Sequence, residues 1–308
     1  MTIVICIFLI FLLLTDPVNS KNLVLSALIN WYGKMIPSLF PFMVLSGFLL
    51  RSGLSKTLSR FVYPVLGVLF RLSPDCIYVI FMGFLCGFPM GANIVSESLT
   101  FHRISKREAE LLFAFCNNIG PAYFLSYVSI CCPYGPVCIS FAIMYLVPLL
   151  YGLLLRYTRY RDIPFYKSKN DGKNIIHTNK NSSNSSFGTA LQESLEKAIS
   201  SILTLGGCMV IFTVIQLPLY NNYYQIPKPY LFLLKGLFEI SSGICVLQSI
   251  PSLYGIVYAV FLPFGGLCCL YQTFVLVKDT PISMSSYLFH KMNQTFITMI
   301  LYGILSFL

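Results

Sequence analysis

Charge is scarce in this chain, and negative charge is scarcer still. Asp, Glu, Lys and Arg make up 10% of the 308 residues, and only 11 of them are acidic. A soluble domain keeps about a quarter of its residues charged, which excludes a soluble globular fold here. Histidine occurs at His102, His177 and His290 only, too scattered to suggest a metal site. No Cys-x-x-Cys stands with a second such motif or with a histidine pair. The 11 cysteines fall singly or as the neighbours Cys131-Cys132 and Cys268-Cys269, mostly inside apolar runs, where cysteine packs as a small hydrophobe. Nucleophile–base motifs, paired catalytic carboxylates and phosphate loops are missing too. An enzyme is therefore not expected, nor a catalytic residue, a metal or a cofactor.

What the chain has is apolar length. It is 56% hydrophobic, with a mean hydropathy of +0.74, which indicates an all-α polytopic membrane protein built as one helical bundle. Apolar segments run over 3–15, 35–50, 61–70, 76–100, 109–130, 136–155, 198–217, 230–250, 253–277 and 292–308. Several are short of the roughly 20 residues that a spanning helix needs. The first of them has the length of a signal-peptide core, but no Lys or Arg precedes it, so a retained span is expected. Segment 156–197 is polar and Asn/Ser-rich, and it reads as a flexible loop between an N-terminal membrane region, 1–155, and a C-terminal one, 198–308.

The net charge of +10 does not require nucleic acid. Segments 51–60, 102–107 and 156–197 hold 14 of the 21 Lys and Arg residues. The positive-inside rule places these three, and with them the N-terminus, in the cytoplasm; 21–34, 71–75 and 221–229 then lie outside.

Four of the apolar segments are broken in the middle. Gly87-Phe88-Pro89-Met90-Gly91 interrupts the first, and Cys116-Asn117-Asn118-Ile119-Gly120-Pro121 the second. Glu239-Ile240-Ser241-Ser242-Gly243 and Pro263-Phe264-Gly265-Gly266 interrupt the third and fourth, with Gln272 beyond. Proline and glycine free backbone groups, and each costs several kcal/mol in lipid unless protein or water satisfies it. The breaks come as two ordered pairs. Gly83 and Gly91 lie eight residues apart, as do Lys235 and Gly243, with Gly236 beside the first mark. Three expected crossings separate the pairs, an odd number, which would invert the second unit. Inverted repeats with broken helices point to a transporter's mid-membrane site. Whether 76–100 and 230–250 are interrupted spans or re-entrant hairpins stays open from charge alone.

These motifs resemble the YlbJ-type sporulation integral membrane proteins, also called stage V sporulation protein V, within the wider nucleoside recognition or Gate-domain group. Trp31 to Leu45 is similar to that family's entry segment. Gly87 to Ala92, the stretch from Glu110 through Asn117 to Pro121, Gly236 to Glu239 with Gly243, and Phe264-Gly265-Gly266 with Gln272 resemble its four motifs in order. The resemblance implies a membrane protein needed late in endospore formation. It also implies transport of dipicolinate toward the forespore across the outer of its two membranes. A non-transporting envelope scaffold and a nucleoside carrier are the alternatives.

For a planar aromatic dianion the expected site is made of donors. Half-helix N-termini at the breaks would supply N–H groups, and Gly87, Pro89, Gly91, Gly120, Pro121, Gly243, Gly265 and Gly266 would shape the backbone around them. Asn117, Asn118, Ser241, Ser242 and Gln272 would add neutral hydrogen bonds, and Phe88 a stacking face. Glu239, a carboxylate within a membrane segment, would serve coupling or gating, with an ion pair to Lys235 as the structural alternative. The expected partners are a small anionic substrate and membrane lipid. Self-association into a homo-oligomer is compatible with the sequence.

Overall fold

The computed structural model describes residues 2–166, 187–222, 225–247 and 250–305, and among them every regular element is helical. Helix α1 covers Thr2–Thr15. Asp16 then caps the next helix by accepting from the Asn19 N–H, and Pro17 occupies its first turn. That helix, α2, runs unbroken over Pro17–Arg51 with one π-turn at Trp31–Met35. The sequence reading left 21–34 as an outside loop. The chain there instead stays helical, since Gly33 is its single breaker, and Trp31 anchors it by donating to the Ile202 carbonyl at 3.0 Å.

Helix α3 (Ser55–Phe70) and helix α4 (Pro74–Cys86) meet at a bend of 102°. The left-handed Arg71 ends α3, and the Ser73 hydroxyl starts α4. Arg156 seals this corner: fully buried, it donates to the carbonyls of Phe70, Tyr160 and Ile163 at 2.8–3.0 Å. One of the eight cations counted in segment 156–197 is thus a packing element rather than a solvated charge.

Helix α5 (Met90–Thr100) follows the first break, and α6 (Lys106–Phe115) opens with a Ser105–Glu108 capping box. After the second break come α7 (Pro121–Cys131) and α8 (Val137–Tyr157). Helix α9 covers Phe187–Val214, so residues 187–197 belong to a helix and not to the expected loop. Residues 167–186 of that segment, including its Asn/Ser-rich stretch, lie outside the described residues. A short α10 (Leu217–Asn221) leads to α11 (Lys228–Phe238), α12 (Ile240–Leu247), α13 (Pro251–Val277, interrupted at Gly265) and α14 (Met284–Leu305).

Among the described residues, four helices are long and apolar enough to cross a membrane: α2, α8, α9 and α13; the bent α3–α4 pair makes a fifth if it is one span. Helix α8 shows why lipid must surround them. Leu146, Leu150 and Leu154 recur at helical spacing on its exposed face, while Val147, Tyr151 and Leu155 are buried. An outward stripe of leucine would be ruinous in water and is what hydrocarbon favours.

The two glycine marks show how the first and third breaks fold. Residues eight apart in a continuous helix are about 12 Å apart along its axis. Yet Cβ atoms added to Gly83 and to Gly91 would both collide with the carbonyl oxygen of Cys116. A Cβ on Gly243 would lie 2.5 Å from the Cα of Gly236, seven residues earlier. Both breaks are therefore hairpins, α4–α5 and α11–α12, and each is followed by a broken helix, α6–α7 and α13. The same order occurs in both halves of the chain.

Candidate functional site

The four breaks converge. Gly87, with φ of 77°, has its Cα against the backbone of Gly120, so the first break presses on the second. Gly265, with φ of 95°, faces the Phe88 ring, which lies 3.1 Å from where a Cβ would stand. Gly266 abuts the carbonyl of Gly236. Side chains of any size at these contacts would push the breaks apart.

Between them lies a cavity that offers about 130 Å³ to the centres of water-sized molecules. Every break contributes wall: Phe88 from the first, Ile119 and Gly120 from the second, Glu239 to Ser241 from the third, and Gly265 from the fourth. Helix α13 adds Gln272, and α2 adds Asn30 and Lys34. The wall is largely apolar with a few polar groups, the usual make-up of a small-molecule site. Lys34 is its ammonium, 4.4 Å from the centre of the Tyr127 ring. Glu239 is its carboxylate. Both of its oxygens are engaged, accepting from the Ser241 N–H at 2.9 Å and the Ser242 N–H at 2.7 Å, so Glu239 caps α12 with its own side chain. The Ser241 hydroxyl shares a 2.9 Å hydrogen bond with Tyr123.

Of the residues expected at the site, Phe88, Gly120, Glu239, Ser241, Gly265 and Gln272 line the cavity. Gly87, Pro89, Gly91, Pro121, Gly243 and Gly266 shape the breaks behind the wall. Ser242 turns away, donating to Gln216 at 3.0 Å. Asn117 is also behind the wall. Its oxygen accepts from the Ala92 N–H at 3.3 Å, and its nitrogen donates to Thr273 at 3.0 Å and Tyr287 at 2.9 Å. Asn118 donates to the Phe115 carbonyl at 2.6 Å and accepts from Lys291 at 2.9 Å.

Two groups escaped the sequence reading. Lys34 and Asn30 were assigned to an outside loop, because the π-turn that carries them into the bundle has no sequence mark. On α14, Tyr287, Lys291, Gln294 and Thr298 form a polar stripe at helical spacing, and all four are buried. That periodicity is legible in the sequence, but the apolar segment 292–308 starts one residue past the lysine.

Fold and site define an integral, multi-pass, all-α membrane protein whose helix breaks meet at one cavity. Residues 33–148 match the family model described as Gate, nucleoside recognition. The chain is also 25% identical, over 338 positions covering 95% of its own length and 80% of the relative's, to the sporulation integral membrane protein YlbJ of Bacillus subtilis (strain 168). Its similarity to a YlbJ-type sporulation integral membrane protein therefore runs over nearly the whole chain. No solved structure matches it.

Proposed function

We propose that this protein carries a small anionic metabolite across the membrane during sporulation, with the cavity at the four breaks as its binding site. Dipicolinate, moving toward the forespore across its outer membrane, is the substrate that the family setting implies. The observation that carries the reading is the convergence of all four breaks on one wall with Lys34. A scaffold has no need of a cation beside an open space where helix breaks meet; packing alone would satisfy its breaks. Lys34 attracts the anion, Gln272 and Ser241 orient it, and Phe88 stacks on its ring. Glu239 supplies the coupling charge. The N-terminus and segment 156–197 face the cytoplasm, following the positive-inside rule.

The test is uptake of labelled dipicolinate into vesicles containing the purified chain. Uptake is expected with the unaltered protein and to weaken roughly 10-fold or more in Lys34→Gln, the loss of one charged hydrogen bond. Absence of uptake by the unaltered, correctly inserted protein, or uptake equal in Lys34→Gln, would overturn the reading. A nucleoside carried in preference to dipicolinate would transfer the site to the nucleoside alternative.

A further inference from the structure

Lys291 is 1% exposed and pairs with no carboxylate: none of the four ion pairs among the described residues includes it. A buried ammonium without a counter-ion costs several kcal/mol, and charges kept inside membrane bundles mark pathways and sites. What surrounds it is arranged with care. Helix α6 ends at Phe115, and the second break leaves its last carbonyls without helical partners. The Gln294 amide takes the Ala114 carbonyl at 2.6 Å, and the Asn118 amide takes the Phe115 carbonyl at 2.6 Å. Both amides are thereby turned so that their oxygens face Lys291, at 2.9 Å from Asn118 and 3.5 Å from Gln294. The negative end of α6 adds partial compensation. Toward the cavity stand Cys269 and the Phe88 ring, whose centre is 4.6 Å from the ammonium. Phe88 lines the cavity and Lys291 does not.

We propose that Lys291 is the fixed charge that receives a carboxylate of the substrate, with the Phe88 ring as the movable wall between it and the cavity. This rests on the transport reading and deepens it. The chemistry selects a planar aromatic carboxylate. A ring face offers an ammonium only the attraction of its quadrupole, whereas a carboxylate offers full opposite charge and short charge-assisted hydrogen bonds in the same place. A carboxylate can therefore displace the ring from the ammonium, while the ligand's own ring replaces it against Phe88. A neutral ligand has nothing to offer in exchange and stays at the outer wall. Phe88 sits in the break itself, between Gly87 and Pro89, and the residue facing its ring, Gly265, carries no side chain.

The experiment measures calorimetric binding of dipicolinate and of its uncharged diamide, pyridine-2,6-dicarboxamide, to the purified full chain in detergent. The unaltered protein is expected to prefer the dianion. Lys291→Gln should reduce that preference roughly 10- to 100-fold, and Lys291→Arg should keep part of it. A second variant leaves the lysine in place. In Phe88→Ala, Lys291 should become open to acetylation by acetic anhydride, read by peptide mapping, and saturating dipicolinate should suppress it. Retained preference in a folded Lys291→Gln, or acetylation in Phe88→Ala that dipicolinate does not change, would overturn the proposal and leave Lys291 as a brace for the two amides that cap α6. If Lys34→Gln loses binding while Lys291→Gln does not, the transport reading stands and this one falls. If the unaltered chain binds neither compound, both fall.

Discussion

The side-chain nitrogen of Asn117 lies 3.0 Å from the Thr273 hydroxyl, joining the second break of the chain to the helix that carries the fourth. With 1% exposure and partners on α5, α13 and α14, Asn117 is a cross-link of the bundle rather than a wall of its cavity. Asn117→Leu is expected to fail at folding. It strands the Ala92 N–H and removes the amide that bridges Thr273 and Tyr287, at about 1–3 kcal/mol for each buried group left unpaired. Thermal unfolding in detergent should show a large drop in midpoint. A Leu variant as stable as the parent would contradict the cross-link.

The contact of Gly87 with Gly120 sets a second expectation. An alanine at 87 would meet the Gly120 backbone while forced to hold φ near 77°, so relief in one direction worsens the other. Gly87→Ala should give little folded protein. Gly33→Ala and Gly207→Ala, where nothing lies within 4 Å of the new methyl, should be recovered at parental levels. Equal recovery of all three by size-exclusion chromatography would show that the breaks are not in tight contact.

How much of this was legible in the chain follows a physical line. The four breaks were readable because proline, glycine and asparagine inside an apolar run carry a local backbone cost that composition records. The eight-residue glycine spacing also held meaning, since hairpin limbs need small residues where they approach the same carbonyl. Tertiary choices were not readable. Asn117 and Gln272 look alike as amides in apolar helices, and only the packing of α13 and α14 turns the first into a cross-link and leaves the second on the cavity. Hydropathy penalises lysine wherever it stands, so it ends the last apolar segment short of Lys291 and places Lys34 outside. Residues 187–197 read as loop because Gln192, Glu193, Glu196 and Lys197 are polar, although they are good helix formers on a solvated face.

Away from the membrane, Arg107 ties the start of α6 to the turn after α8, donating to the Asp162 carboxylate at 2.8 and 3.4 Å. Those hydrogen bonds hold the Asp162 carboxyl below its ordinary value. A carboxyl depressed in the folded state adds stability above its unfolded value and loses it as the pH falls through the folded one. The tie should persist at neutral pH and loosen only in acid below the usual aspartate range. Hydrogen exchange of the 158–163 backbone, expressed as protection relative to the intrinsic rate at each pH, should show protection at neutral pH that is lost in acid for the parent, and little at either pH in Asp162→Asn. Protection independent of pH in the parent would remove the tie.

Glu239 allows the cap and the coupling charge to be separated. Its two oxygens hold the first N–H groups of α12, and glutamine retains one acceptor of the two. Glu239→Gln should lose one capping hydrogen bond, and Glu239→Ala both, for a graded loss within about 0.5–2 kcal/mol. If capping is all that Glu239 does, uptake of dipicolinate into vesicles will follow that grade, and the Gln variant will run close to the parent. A coupling role predicts a different order: Gln and Ala equally inactive despite their unequal stability, because both lack the charge. The comparison needs unfolding midpoints and initial uptake rates on the same preparations, at matched amounts of inserted protein. A Gln variant near parental stability with near-parental uptake would confine Glu239 to the cap and move the coupling charge elsewhere in the bundle.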